Sequence, residues 1–361
     1  MAALASLPTA PDGALSAILG WSKGAQVKGT RLEGGALARV LGEDGALFHD
    51  KKGRVREMPA PLAPLADTHG HLFPARSADP AAELARAALA GVALLVVPLD
   101  PTEMATATDA LDALSAWQEE AQRLVDACVA EGAELPRFSG EAPSARMPSR
   151  LRIVAGVHPY GAASIDDDCL ARLRRLLADP RCCGVGEFGL DFGPYNELAP
   201  EVQEQAFRMQ LRMAHEVGLP CELHVRDAKG DPACAAHALA ERVLSEEGVP
   251  EAGCDLHCFT SGPDVLEGFA RLGCHIAFGG AVTFLRSDDI REAAAACPEG
   301  LLLAETDAPY MAPVPLRGME CESAMVGFSA ACVADVRLEA LGIPRERTYR
   351  ALWENACAFV R

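Results

Sequence analysis

Leu301-Leu302-Leu303-Ala304-Glu305-Thr306-Asp307 is a short apolar run that ends in two carboxylates two positions apart. Four apolar residues without alternation fit a strand buried on both faces, as in a parallel sheet. The pattern recurs back along the chain. Similar runs at 66–71, 94–99, 152–158, 184–188, 220–225, 254–259 and 275–278 make eight with the one at 301–306. Helical spacing of apolar residues fills the intervals at 80–90, 166–177, 197–217, 231–247, 263–272 and 287–297, and continues after the last run at 321–341 and 345–359. Eight such units predict an α/β fold, a (β/α)8 TIM barrel with parallel strands inside and helices outside. An open doubly wound sheet competes, but no Gly-rich phosphate fingerprint opens any of these helices.

Two regions fall outside the repeat. Residues 1–66 form a small N-terminal extension, with a hairpin expected around 46–58; residues 67–361 make the barrel. The crossover at about 100–150 is long for its place and predicts a single helix over 102–131. A polar, Pro- and Ser-rich loop follows over 135–150.

Half of the 361 residues are hydrophobic, enough for a sizeable core, and few are aromatic, so Ala, Leu and Val must supply the packing. The formal charge of −18 repels nucleic acid at long range and favours small or short substrates. Thirteen cysteines are scattered without Cys-x-x-Cys or zinc-knuckle spacing, which fits reduced thiols in the cytoplasm. No apolar stretch reaches membrane-spanning length, and no signal peptide is read at the start.

The polar residues at the ends of the runs carry the chemistry. His69-Gly70-His71 places two imidazoles on one side of an extended chain, with Asp67 able to orient one of them or to bind metal itself. Glu187 lies between Gly186 and Phe188-Gly189, well placed to bridge two cations, whereas Asp191 reads as structural. Glu222, His224 and Arg226 share one strand face that ought to be apolar, and burying such groups unpartnered costs about 1–3 kcal/mol each. A metal with an anionic substrate accounts for them. Arg226 is then a candidate for a phosphate. His257 joins through its company, and Cys258, pointing the other way by alternation, reads as a core thiol. Asp307 can bind metal and accept a proton from attacking water, with Glu305 in support. His158, in Gly156-Val157-His158-Pro159, reads as a substrate contact. His215, His237 and His275 have structural contexts.

Together these segments resemble the TatD-type metal-dependent deoxyribonuclease and hydrolase family, from Asp67 to the closing Asn355-Ala356-Cys357-Ala358-Phe359. The resemblance implies an amidohydrolase-like barrel with one or two divalent metals, Mg, Mn or Zn. It also implies that His69, His71, Glu187, His224, His257 and Asp307 are the metal ligands, with Glu187 where related hydrolases carry a carboxylated lysine. Phosphodiester cleavage in DNA or a short oligonucleotide is the activity expected, with Asp307 and Glu187 catalytic and Arg226 and His158 on the substrate. Hydrolysis of an amide or carboxylic ester is the alternative, and a metal-binding scaffold without catalysis a further one. The sequence departs from the family pattern in residues 1–66, in the long crossover, and at Arg317-Gly318-Met319-Glu320-Cys321-Glu322-Ser323, where a lysine, an asparagine and a proline of the family motif are missing.

Overall fold

The computed structural model describes residues 35–42, 44–72, 79–136, 138 and 150–360. Most of the expected loop at 135–150 and the first half of the extension lie outside them. Among the described residues, eight strands form one parallel sheet in sequence order: β1 (Leu65–Asp67), β2 (Val92–Leu99), β3 (Leu151–Ala155), β4 (Cys182–Asp191), β5 (Cys221–Arg226), β6 (Cys254–Leu256), β7 (His275–Phe278) and β8 (Leu302–Ala304). The two edges meet, because Thr68 donates its N–H to the Ala304 carbonyl at 3.1 Å and Gly70 bridges to Ala308. The sheet thus closes into a barrel. Closure leaves no open edge.

Helix α1 (Ala36–Leu41) precedes the barrel. Around it run α2 (Pro80–Leu89), α3 (Ala107–Ala130), α4 (Asp167–Leu177), α5 (Pro200–Val217), α6 (Ala235–Glu247), α7 (Pro263–Arg271), α8 (Asp288–Ala296), α9 (Val326–Leu341) and α10 (Arg345–Phe359). Their starts follow local chemistry. Asp79, Thr106 and Asp166 each accept a backbone N–H three residues on, while Pro80, Pro200 and Pro263 occupy first turns. Helix α5 ends at Gly218, whose φ of 69° is the left-handed stop that Gly-x-Pro announces.

Several strands are shorter than the apolar runs predict. β1, β6 and β8 leave the regular ladder where polar residues begin, at Thr68, His257 and Glu305. Their backbone groups still find partners across the barrel: His257 N–H donates to Leu223 at 3.1 Å and Gly70 N–H to Val96 at 3.0 Å. β4 is longer than predicted, so Glu187 lies inside the strand and not after it. A register shift between Val185 and Phe188 sets three residues of β4 against two of β5, the kind of bulge that re-aims a side chain.

Phe188, Phe207, Phe259, Phe269 and Phe278 are wholly buried, and Phe188 meets Phe207 with ring centroids 5.5 Å apart. The remaining core is mainly Ala, Leu and Val, as the composition requires. The carboxamide of Asn355 on α10 donates to the carbonyls of Glu299 and Leu302, at 2.7 and 2.9 Å, and pins the start of β8.

Of the extension, residues 35–42 and 44–64 pack on the barrel. Phe48 is buried against Phe328 of α9, and Glu131, just past α3, accepts the N–H groups of Ala36 and Leu37 at the start of α1. The expected hairpin amounts to one antiparallel bridge, His49 with Val55. The long crossover does hold a single helix, α3, although shorter than 102–131 at its start. All thirteen cysteines are free. Among the described residues, no helix is long and apolar enough to cross a membrane.

Candidate metal centre

The tips of β1, β4, β5, β6 and β8 converge at the C-terminal mouth of the barrel. There the structure gathers all six residues expected as ligands. Glu187 is the hub, and its two oxygens face different partners. Oε1 lies 3.8 Å from His69 Nε2 and 3.5 Å from His71 Nε2; Oε2 lies 2.9 Å from His257 Nε2 and 3.3 Å from His224 Nδ1. Asp307 Oδ1 closes the first group, at 4.0 Å from His69 and 3.9 Å from His71. Two nitrogen pairs face each other at 3.1 Å, His69 with His71 and His224 with His257.

This donor set fits divalent cations on two observations. Imidazole nitrogens and carboxylate oxygens are the ligand types that zinc, manganese and related ions take. In addition, the outer nitrogens of two histidines are already committed. His69 Nδ1 meets Glu222 Oε1 at 2.8 Å, and His224 Nε2 meets Asp191 Oδ2 at 3.1 Å. A carboxylate on the far nitrogen fixes the tautomer and turns the other nitrogen's lone pair inward. Groups of such atoms within ligand range are His69-His71-Asp307, His69-Glu187-His257 and His158-Glu187-His224.

Glycine makes the close approach possible. Gly189 pairs with His224 across β4 and β5 at a φ of 147°, and a Cβ there would collide with the His224 carbonyl oxygen. The electrostatics follow from burial and crowding. Burial alone would raise the Glu187 carboxyl, but the imidazoles of His158, His69 and His257 hold it well below the usual range. Burial works against charge on His224, yet its bonds to Asp191 and Glu187 hold its pKa up at about 9. Burial pushes Asp307 up to about 6, moderated by attraction to His69. His71 and His257 fall to about 3, through burial and then the neighbouring His69.

Four readings of the sequence change. Asp191 is not a bland strand-end acid, since it holds His224. Cys258 does not turn away into the core: its thiol donates to Asp307 Oδ2 at 3.3 Å. Its φ of 47° breaks the strand alternation on which the sequence reading rested. Glu305 accepts the Cys258 N–H at 2.6 Å, so it supports the β6 loop rather than Asp307 directly. Asp67 neither orients a histidine nor faces the site; it accepts the N–H and hydroxyl of Thr306, at 2.8 and 2.7 Å, and ties β1 to β8.

His158 sits at the mouth with Nε2 3.9 Å from Glu187 Oε2. Its Nδ1 accepts the Tyr160 N–H at 3.2 Å, so in the neutral ring Nε2 carries the hydrogen and faces inward as a donor. Burial, then His224, lowers its pKa to about 3 and keeps it neutral. Arg226 ends β5, exposed, with its guanidinium 5.5 Å from the Tyr195 ring. His237 pairs with Asp227 and His215 with the Gly248 carbonyl, both away from the centre.

A barrel whose strand tips converge on two histidine–carboxylate groups sharing one glutamate defines a class, the metal-dependent hydrolases. The chain belongs to the TatD related DNase family, whose model matches residues 66–361. The uncharacterized metal-dependent hydrolase TatD of Mycobacterium tuberculosis is 31% identical over 279 residues, which span 75% of this chain and 90% of that protein. The 3'-5' ssDNA/RNA exonuclease TatD of Pantoea vagans is 39% identical over 165 residues, 45% of this chain and 60% of that one. Among solved structures, the TatD homolog YJJV of Escherichia coli K12 superposes with a TM-score of 0.62 at 25% identity, over 83% of this chain and 98% of the other.

Proposed function

We propose that this hydrolase cleaves phosphodiester bonds in DNA or short oligonucleotides at the β-strand mouth. The observation that carries the reading is the division of Glu187, with one oxygen toward the His69-His71-Asp307 group and the other toward His224 and His257. His69, His71 and Asp307 would hold one divalent cation and His224 and His257 a second, with Glu187 between them. Such ions, when bound, lower the pKa of water from 15.7 towards about 7 and draw charge from phosphoryl oxygens.

The chain's own groups supply the rest. Asp307 accepts the proton of the attacking water at a carboxylate oxygen, while the Cys258 thiol holds its Oδ2 in place. His158 presents its Nε2–H, and Arg226 its guanidinium, to the non-bridging oxygens of the phosphate. As the water oxygen bonds to phosphorus the ester P–O bond breaks, and the proton taken up by Asp307 is returned, by way of solvent, to the leaving oxygen, giving a phosphate monoester and a free hydroxyl. The relative named as a 3'-5' ssDNA/RNA exonuclease supports a single-stranded polynucleotide as substrate. The thirteen free thiols suit a reducing cytoplasm.

The test incubates purified protein loaded with manganese or magnesium with labelled single-stranded DNA and with bis(p-nitrophenyl) phosphate, beside an Asp307→Asn variant. Cleavage of both by the native chain, lost in the variant, is expected. Turnover of amides or carboxylic esters with neither phosphate cleaved would overturn the reading.

A further inference from the structure

Beside the metal centre, on the rim formed by the loops after β3, β4 and β5, lie two tyrosines with no part in the assignment above, next to the Arg226 already placed on the phosphate. Tyr160, in the short helical turn Pro159–Ser164, and Tyr195, in the loop after β4, expose 47% and 55% of their surface. Aromatic residues are scarce in this chain, yet two half-exposed rings fall on this one rim. The exposed Arg226 lies beside the second of them, its guanidinium 5.5 Å from the Tyr195 ring.

The patch is continuous with the catalytic groups. The Tyr160 ring packs edge-on against His158 at 4.4 Å, and His158 against His224 at 4.4 Å. The Tyr160 hydroxyl faces the Asp191 carboxylate that holds His224. Arg226 itself pairs in register with Asp191. Two half-exposed rings and one exposed guanidinium thus put aromatic faces and a cation at the mouth of a chain of net charge −18. A flat aromatic group joined to an anion fits that chemistry, which is a nucleotide: base on ring, phosphate on guanidinium. A phosphate without a base would leave both rings idle.

We infer that Tyr195 and Tyr160, with Arg226 beside Tyr195, form a base-stacking subsite that selects nucleotide substrates with unpaired bases. The inference rests on the phosphodiesterase reading for its substrate and adds the residues that choose it. Bases inside a duplex are stacked on each other and present no free face, so the subsite favours single strands. Any base has a face to offer, so sequence preference should be slight.

The test measures binding and cleavage separately. Binding of a fluorescent ten-nucleotide single strand is followed by anisotropy on the metal-loaded chain carrying Asp307→Asn, alone and combined with Tyr195→Ala or Tyr195→Phe. A matched oligonucleotide with abasic residues serves as the second probe. Cleavage of both is then measured without the Asp307 change. Tyr195→Ala should weaken binding of the base-bearing strand about tenfold or more, the scale of one lost stack. Tyr195→Phe should restore it, and the abasic probe should bind both variants alike. Tyr195 is half exposed, so neither substitution disturbs the core. Equal weakening for the abasic probe, no change with Tyr195→Ala, or no binding of the base-bearing strand at all would overturn the subsite. Selective binding without cleavage by the native chain would uphold the subsite and strike the phosphodiesterase reading instead.

Discussion

Asp191 is the residue whose role most changes between sequence and structure. By holding His224 Nε2 it decides which nitrogen of that ring faces Glu187. Removing such an outer partner costs about 10- to 100-fold in metal affinity or activity elsewhere. Asp191→Asn should therefore lower kcat/KM by that factor, as metal titration and kinetics would check. An unchanged rate would return Asp191 to a strand-end role. The six residues that meet at the mouth were legible because each sits within or just after an apolar run, where a buried polar group demands a reason. The partners that orient them were not. Asp191 and His224 stand 33 positions apart, and His69 and Glu222 stand 153 apart. Cys258 was misplaced for a local reason: its left-handed backbone cancels the period-two rule.

Among the elements, the shortest strands depart furthest from the apolar runs that announce them. β1, β6 and β8 hold only three residues each, and their mouths are kept in place by side chains. Asp67 is wholly buried and takes two bonds from Thr306 across the β1–β8 seam. Asp67→Ala should lower unfolding free energy by about 1–3 kcal/mol, the cost of leaving the buried Thr306 donors without an acceptor. Urea unfolding measures this, and a loss below experimental error would show the seam to be held by backbone alone. Asn355 acts from outside in the same way, with two bonds to the backbone at the start of β8. Its replacement by alanine should cost about 1–3 kcal/mol by the same assay, since Leu302 lies buried and its carbonyl loses a donor. Runs of apolar residues announced these strands but overstated their length, because hydrophobicity marks burial and not ladder pairing. At β4 the error ran the other way. There the ladder continues past Phe188 through Gly189, Leu190 and Asp191.

For the molecule as a whole, the barrel explains how residues from 69 to 307 act as one site, and that architecture was readable from eight repeats alone. The extension was not: nothing in its pattern named Phe328 as the partner of Phe48, or Glu131 as the cap of α1. Net charge acts at this scale too. With −18 on the chain, a long polyanion is repelled before it reaches the mouth. Raising ionic strength from about 0.01 M to about 0.15 M cuts the screening length from about 30 Å to about 8 Å. Cleavage of a long single strand should then speed up relative to that of a very short one, as initial rates would show. A uniform slowing of both would mean that local contacts, such as Arg226, dominate approach. The claim beneath all of these is that Glu187 joins two cations whose loss abolishes turnover. The direct measurement is metal content and single-stranded DNA cleavage on one reconstituted sample each of the native chain and of Glu187→Gln. Two divalent ions per native chain, fewer in the variant, with cleavage reduced to background, is the result predicted. A variant that keeps both its full metal content and its cleavage rate would contradict the account.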